Sequence, residues 1–383
     1  MDLNFDDATC EFQTEVREFL AANTDAFPTK SYDTAEGFEQ HRCWDKVLFD
    51  AGLSVITWPE RYGGRDATLL QWVVFEEEYF RAGAPGRASA NGISMLAPTL
   101  FTHGTQEQLD RVLPKMASGE HIWAQAWSEP ESGSDLASLR STATRTDGGW
   151  RLNGQKIWSS RAVFGEWAFG LFRSDPEAQR HKGLTYFMFD LKSDGVTVRP
   201  IAQLGGDTGF GEIFLDDVFV PDQDVIGGVH EGWRAAMSTS SNERGMSLRS
   251  PARFLAPAER LVAQWREHPD PAFTDRVADA WIKAQAYRLH TFGTVTRLAN
   301  GGELGAESSV TKVFWSDLDV ALHQTALDLS GADGELADTP SRQAASCNWT
   351  DGLLFALGGP IYAGTNEIQR NIIAERLLGL PRK

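Results

Sequence analysis

The chain has 383 residues, 42% hydrophobic and 11% aromatic with 13 tryptophans, a composition that supports a large folded core in two or three domains and argues against disorder. Its net charge of -17 argues against a nucleic-acid partner, because phosphate binding needs a concentrated basic surface. No run of about 20 apolar residues is present to span a membrane, and the acidic start Met1-Asp2-Leu3-Asn4-Phe5-Asp6-Asp7 lacks the features of a secretion signal, so a cytoplasmic location is expected.

Residues 1–120 read as a helical domain. Phe12, Val16, Phe19 and Leu20 recur at helical spacing, and Asp6 and Asp7 suit a helix start. Residues 54–64, with Pro59 and the Gly63-Gly64 pair, form a connector, and helical patterning resumes over 70–80 and 105–116. Residues 121–228 change period. Asp147-Gly148-Gly149 and Asn153-Gly154 read as turns separating short strands, which include 185–189, 196–198 and 213–215. The third domain, 229–383, returns to helices at 275–299 and 308–329, followed by a loop over 331–344. Cys10, Cys43 and Cys347 are far apart and read as reduced thiols. The eight histidines have no metal-ligand spacing, so no metal site is expected.

Four segments carry candidate chemistry. The first is Trp127-Ser128-Glu129-Pro130-Glu131-Ser132-Gly133-Ser134-Asp135-Leu136, whose Pro, Glu, Ser and Gly also suit a plain turn. The second, Asn153-Gly154-Gln155-Lys156-Ile157-Trp158-Ser159-Ser160, carries a tryptophan that suits either a core or a cofactor platform. The third, Ser241-Asn242-Glu243-Arg244-Gly245, offers a charged pair that by itself also fits a solvated helix face. The fourth, Gly358-Gly359-Pro360-Ile361-Tyr362-Ala363-Gly364-Thr365-Asn366-Glu367-Ile368-Gln369-Arg370, is a glycine-rich turn opening onto a helix start. Such a start presents N–H groups, and glycine permits close backbone approach to a ligand. No GxGxxG or Walker pattern supports a Rossmann or P-loop site.

These segments resemble the signatures of the acyl-CoA dehydrogenase family, and the resemblance covers essentially the whole chain. It implies a mainly α fold with a central β-domain: an N-terminal helical domain, a β-barrel-like middle domain and a C-terminal four-helix bundle. It implies FAD as cofactor, bound by Gln125, Trp127, Ser128, Gly133, Trp158, Ser160, Thr365 and Glu367. The Ser128 hydroxyl and nearby backbone would meet the flavin pyrimidine edge, Trp158 would lie against the isoalloxazine, and Ser160 would reach N5. Ser134, Arg244, Ala363 and Gly364 would bind the acyl-CoA substrate.

Many members of the family carry the catalytic glutamate directly before the Gly-Thr pair, where this chain has Ala363. Others carry it on a helix, directly before an arginine, and Glu243-Arg244 matches that arrangement. Glu243 is therefore the expected α-proton base, its basicity raised by an apolar pocket. Hydrogen bonds from the Ala363 N–H and a flavin ribityl hydroxyl to the thioester oxygen would acidify the α-carbon. The β-hydride would pass to flavin N5, and electrons would leave through an electron-transfer flavoprotein.

Two elements that family subunits offer to a neighbour's flavin are broken. The Arg-x-x-Phe-Gly element is missing near Trp265-Arg266-Glu267-His268-Pro269-Asp270-Pro271, and Arg288-Leu289-His290-Thr291-Phe292-Gly293 has one residue too many and comes too late. The Gln-x-x-Gly-Gly turn reads Asp328-Leu329-Ser330-Gly331-Ala332. A carboxylate facing phosphates there costs on the order of a kcal/mol or more. The expectation is a second related subunit in an α2β2 assembly, similar to the heteromeric actinobacterial members that act on bulky, ring-bearing steroid-derived thioesters. A small residue at 363 leaves room for such a group. The alternatives are a non-catalytic partner subunit and a flavin monooxygenase on the same fold.

Overall fold

The computed structural model describes residues 5–243, with backbone alone at 241–243, and residues 250–302, 304–335 and 348–381. Helix α1 (Asp7–Ala22) starts where its acidic residues predict, the Asp6 carboxylate accepting the Thr9 N–H at 2.8 Å. Thr34 caps α2 (Ala35–Asp50). Reciprocal side-chain and backbone bonds between Thr68 and Gln71 open α3 (Leu69–Arg81). A π-turn over Gly92–Leu96 leads into α4 (Ala97–His103). Thr105 and Gln108 repeat the α3 device at α5 (Gln106–Ala117).

The middle of the chain supplies eight strands: β1 (Trp123–Ala126), β2 (Thr142–Thr146), β3 (Gly149–Ser160), β4 (Trp167–Arg173), β5 (Leu184–Asp190), β6 (Val196–Ile201), β7 (Phe210–Pro221) and β8 (Val225–Ile226). Six α-helices follow: α6 (Gly232–Glu243), α7 (Ala252–Glu267), α8 (Thr274–Ala299), α9 (Ser308–Ser330), α10 (Trp349–Ala356) and α11 (Asn366–Ile372). The fold is mainly α with a central sheet. Among the described residues no helix is long and apolar enough to cross a membrane.

The chain forms two compact units. One comprises residues 32–65 and 86–243 and holds α2, α4, α5, the sheet and α6. Its strands run in the order β6-β7-β3-β2-β4-β5-β8, with β1 parallel to β4. Strands β4 and β5 are buried along almost their whole length, which explains their unbroken apolar runs. Trp150, Phe172, Phe187, Phe189, Ile213 and Val218 form the core.

Strand β3 corrects one expectation. Asn153-Gly154 makes no turn and lies inside the strand at a register shift against β7. Gly154 has φ 142°, and a Cβ there would sit 2.2 Å from the Ser141 Oγ. The Asn153 carboxamide oxygen accepts the Asp217 N–H at 2.9 Å. The pair builds a bulge, because glycine at this point admits close approach of β3 to Ser141.

The second unit joins the first 31 residues and 66–85 to everything after 243. Helices α7, α8 and α9 close on Phe254, Tyr287, Trp315, Leu318 and Leu322, and Val73 of α3 packs with Phe292 and Val295 of α8. Two ion pairs reinforce this grouping: Arg17 with Glu78 at 2.9 Å and Arg288 Nη2 with Glu77 at 3.0 Å.

Candidate active site

The first two motifs meet in the sheet unit. Strand β1 lies beside β4 with Ala126 opposite Gly170, and the chain then leaves through Trp127 and Ser128. The Ile157 N–H donates to the Ser128 carbonyl at 2.8 Å, which holds Ser128 next to Trp158. Ser128 and Ser160 are half-buried. Trp158 is 57% exposed, so it is no core residue, and its ring meets the edge of Phe210 at 5.9 Å. The Gln125 Nε2 and the Ser159 Oγ are buried with no hydrogen-bond partner among the described residues. Trp127 turns inward, its indole N–H donating to the Tyr186 hydroxyl at 3.0 Å. Its indole N–H is thus already engaged within the sheet unit. Gly133 and Ser134 are exposed on the following loop, beside an Asp135–Arg180 ion pair at 2.7 Å.

The Trp158–Arg161 segment is locally strained. Trp158 has φ 59° and Arg161 φ 71°, each costing about 1–3 kcal/mol for a non-glycine residue. Arg161 supplies the restraint. Its N–H donates to the Gly209 carbonyl at 3.0 Å, and its guanidinium pairs with Asp33 at 3.0 Å and lies 3.6 Å from the Tyr32 ring centre. Burial pushes the Asp33 carboxyl up, and Arg161 pulls it back in part. Asn91 Nδ2 completes the clamp by donating to the Ser160 carbonyl at 3.3 Å.

Beneath this surface lies an ion pair that sequence reasoning missed. Lys156 is fully buried, its ammonium 2.8 Å from the Glu129 carboxylate and 2.8 Å from the Leu171 carbonyl. Glu129 also accepts the Arg140 N–H at 2.6 Å and the Ser141 N–H at 2.9 Å. Burial pushes its carboxyl up, but Lys156 and these N–H donors prevail and hold it below the usual carboxylate range. The Glu-Pro of the first motif and the lysine of the second are thus one anchor. The available signal was the charge of Lys156 at an inward position of β3.

Glu243 is the last residue of α6. Its side chain and the whole of Arg244 lie outside the described residues.

The fourth motif lies in the other unit. Ala363 adopts φ 56° and Gly364 φ 78°. Gln369, fully buried, donates through Nε2 to the Ala363 and Gly364 carbonyls at 3.1 Å each. The Asn366 N–H donates to the Pro360 carbonyl at 2.9 Å, and its side-chain oxygen accepts from Lys312 at 2.7 Å and Ser316 at 3.1 Å. Thr365 caps α11, while Glu367 is exposed and faces Arg370 at 3.6 Å. A Cβ on Gly364 would sit 2.5 Å from the Gln369 Nε2. Gly364→Ala should therefore lower stability by about 1–3 kcal/mol by dislodging a buried donor, as thermal unfolding would show.

Asp328 of the glycine turn, and Arg288, are both engaged within this unit. Asp328 pairs with Arg276 at 2.8 Å and accepts from Gln324 at 2.9 Å. Arg288 is held by Glu77 and lies 4.9 Å from the Phe292 ring centre.

Comparison with known proteins agrees with this arrangement. Three domain descriptions match in succession: acyl-CoA dehydrogenase, N-terminal domain, over residues 6–120; middle domain, 124–218; and C-terminal domain, 230–378. The chain is 37% identical over 386 residues to acyl-CoA dehydrogenase IpdE1 of Mycobacterium tuberculosis, covering 97% of this chain and 98% of that protein. Identity to acyl-CoA dehydrogenase FadE34 of the same organism is 38% over 337 residues, covering 88% of this chain and 46% of that one. Among solved structures, the Tcur3481-Tcur3483 steroid ACAD matches with a TM-score of 0.88 at 27% identity, covering 100% of both chains. The ChsE4-ChsE5 complex from Mycobacterium tuberculosis matches at 0.83 and 25% identity, again over 100% of both. The chain belongs to the acyl-CoA dehydrogenase family.

Proposed function

We propose that the chain catalyses FAD-dependent α,β-dehydrogenation of a bulky, ring-bearing acyl-CoA thioester, with Glu243 as the base. The observation that carries this reading is the exposed Trp158 held beside Ser128 by the Ile157–Ser128 hydrogen bond. The residues present fit a flavin. The orphaned Gln125 amide supplies a donor for a carbonyl-bearing ring edge, and Trp158 supplies an aromatic face. Ser128, the Trp127 backbone and Ser160 would hold the ring, with Gly133, Thr365 and Glu367 as further contacts. When bound, FAD supplies the acceptor for the hydride leaving the β-carbon.

The chain's own residues perform the other half of the reaction. Glu243 takes the α-proton, so that proton and hydride loss leave a Cα–Cβ double bond. Ala363 polarises the thioester oxygen through its N–H, on a turn stiffened by Gln369 and Asn366. Ser134 and Arg244 are assigned to the CoA portion. A small residue at 363 and the steroid enzyme named above favour a cyclic acyl group.

The proposed assembly is α2β2 with a second, related subunit, and the electron acceptor is an electron-transfer flavoprotein. Asp328 and Arg288 are each ion-paired inside their own unit, with Arg276 and Glu77, which supports this reading. Purification with and without the partner tests the assembly. Flavin absorbance should appear in the co-purified complex and be weak in the chain alone, and a homotetramer with stoichiometric FAD would overturn it.

A further inference from the structure

Helix α6 carries a buried hydroxyl that reaches two other elements of the sheet unit. Thr239 has no solvent exposure. Its Oγ1 lies 3.3 Å from the Tyr186 hydroxyl on β5 and 2.7 Å from the Thr99 Oγ1 on α4. It also lies within hydrogen-bonding reach of its own helix, 3.2 Å from the Ala235 carbonyl. Tyr186 in turn accepts the Trp127 indole N–H at 3.0 Å. A continuous run of polar contacts therefore joins the segment that carries Ser128 to α6 and α4. All of its members lie within the sheet unit.

Such a network is costly to bury unless each member is satisfied. A valine–alanine contact would hold α6 against β5 without polar atoms. What the hydroxyls add is direction: the two contacts that leave the helix, to Tyr186 and to Thr99, restrict the rotation of α6 about its axis, which apolar packing specifies less strictly. Glu243 follows Thr239 by four residues, slightly more than one turn. Whatever sets the helix rotation at 239 sets the point from which residue 243 leaves the backbone.

We propose that Thr239 is a positioning residue for the base, coupling the α6 rotation to the cofactor-binding strand through Tyr186 and Trp127. This rests on Glu243 being the base. Thr239 does not touch the reacting atoms. It acts by holding the carboxylate-bearing helix within the narrow tolerance of proton abstraction, where a misplacement of ~1 Å costs on the order of 10²-fold in rate.

The test compares Thr239→Val, Thr239→Ser and Tyr186→Phe in the co-purified complex. For Thr239→Val the expected result is a kcat lower by about 10- to 100-fold with unchanged KM and flavin absorbance, and Thr239→Ser restores kcat. Tyr186→Phe moves kcat in the same direction. Amide hydrogen exchange, which needs no turnover, should quicken over 235–240 in Thr239→Val and stay unchanged over 123–126. Wild-type kcat in Thr239→Val, a kcat loss that only tracks lost flavin, or unchanged exchange in α6 would each overturn the proposal. Full activity of Glu243→Gln would instead remove the reading beneath it, and the exchange result would still report whether Thr239 fixes the helix.

Discussion

Glu243→Gln lowers the turnover of the co-purified complex on the order of 10²–10⁴-fold, the range a positioned general base contributes. Glutamine keeps the length and shape of the side chain but cannot accept the α-proton. FAD absorbance and KM for the thioester should therefore remain at wild-type values, because the substitution removes an interaction made only in the transition state. Glu243→Asp gives a partial loss, since shortening by one methylene withdraws the carboxylate by roughly 1 Å from its working position. The expectation follows from the proposed reading, in which Ala363 replaces the base in the C-terminal turn and Glu243, the last residue of α6, takes its role. Steady-state kinetics on the paired variants decide the matter. Undiminished turnover in Glu243→Gln would leave this chain as a non-catalytic partner of another subunit.

Local signals in the sequence were sufficient for much of the fold. Asp6 and Asp7 mark the start of α1, and the apolar spacing over 70–80 and 105–116 finds α3 and α5, because caps and periodicity act within a few residues. The glycine-rich segment at 358–364 likewise forms the turn it reads as, with Ala363 and Gly364 at positive φ. What stayed hidden depends on partners distant in the chain. Asn153-Gly154 has the composition of a turn, and only its approach to Ser141 and pairing with β7 turn it into a bulge. Trp127 opens the first motif, yet its indole is taken by Tyr186, 59 residues away. Lys156 would ordinarily be placed on a surface, and its burial is explained by the Glu129 carboxylate together with the Leu171 carbonyl, both distant in the chain. The grouping of α1 and α3 with α7–α9 rests on contacts such as Arg288–Glu77 that no local pattern encodes.

The largest stability effect falls on that hidden anchor. Lys156→Met should destabilise the protein by about 3–5 kcal/mol, since removing one member of a buried ion pair leaves the other charge uncompensated. Thermal unfolding then drops by about 2–4 °C per kcal/mol for a domain of this size. The double variant Lys156→Met/Glu129→Gln recovers much of the loss, because no buried charge remains alone. The pH dependence has a definite sign. In the wild type, the Glu129 carboxyl is held below its ordinary value, so its contribution is complete above the unfolded value of about 4.3 and disappears as pH falls through the depressed folded one. In Lys156→Met, burial without the ammonium pushes the same carboxyl up, and the folded chain gains from protonating it. The stability gap between wild type and variant is therefore widest near neutral pH and narrows on acidification. Denaturation midpoints measured from pH 4 to 8 report it directly; a gap independent of pH would mean that Lys156 acts through packing alone. Flavin retention should follow the same course, because Glu129 also fixes the Arg140 and Ser141 backbone and so holds the loop that begins at Ser128.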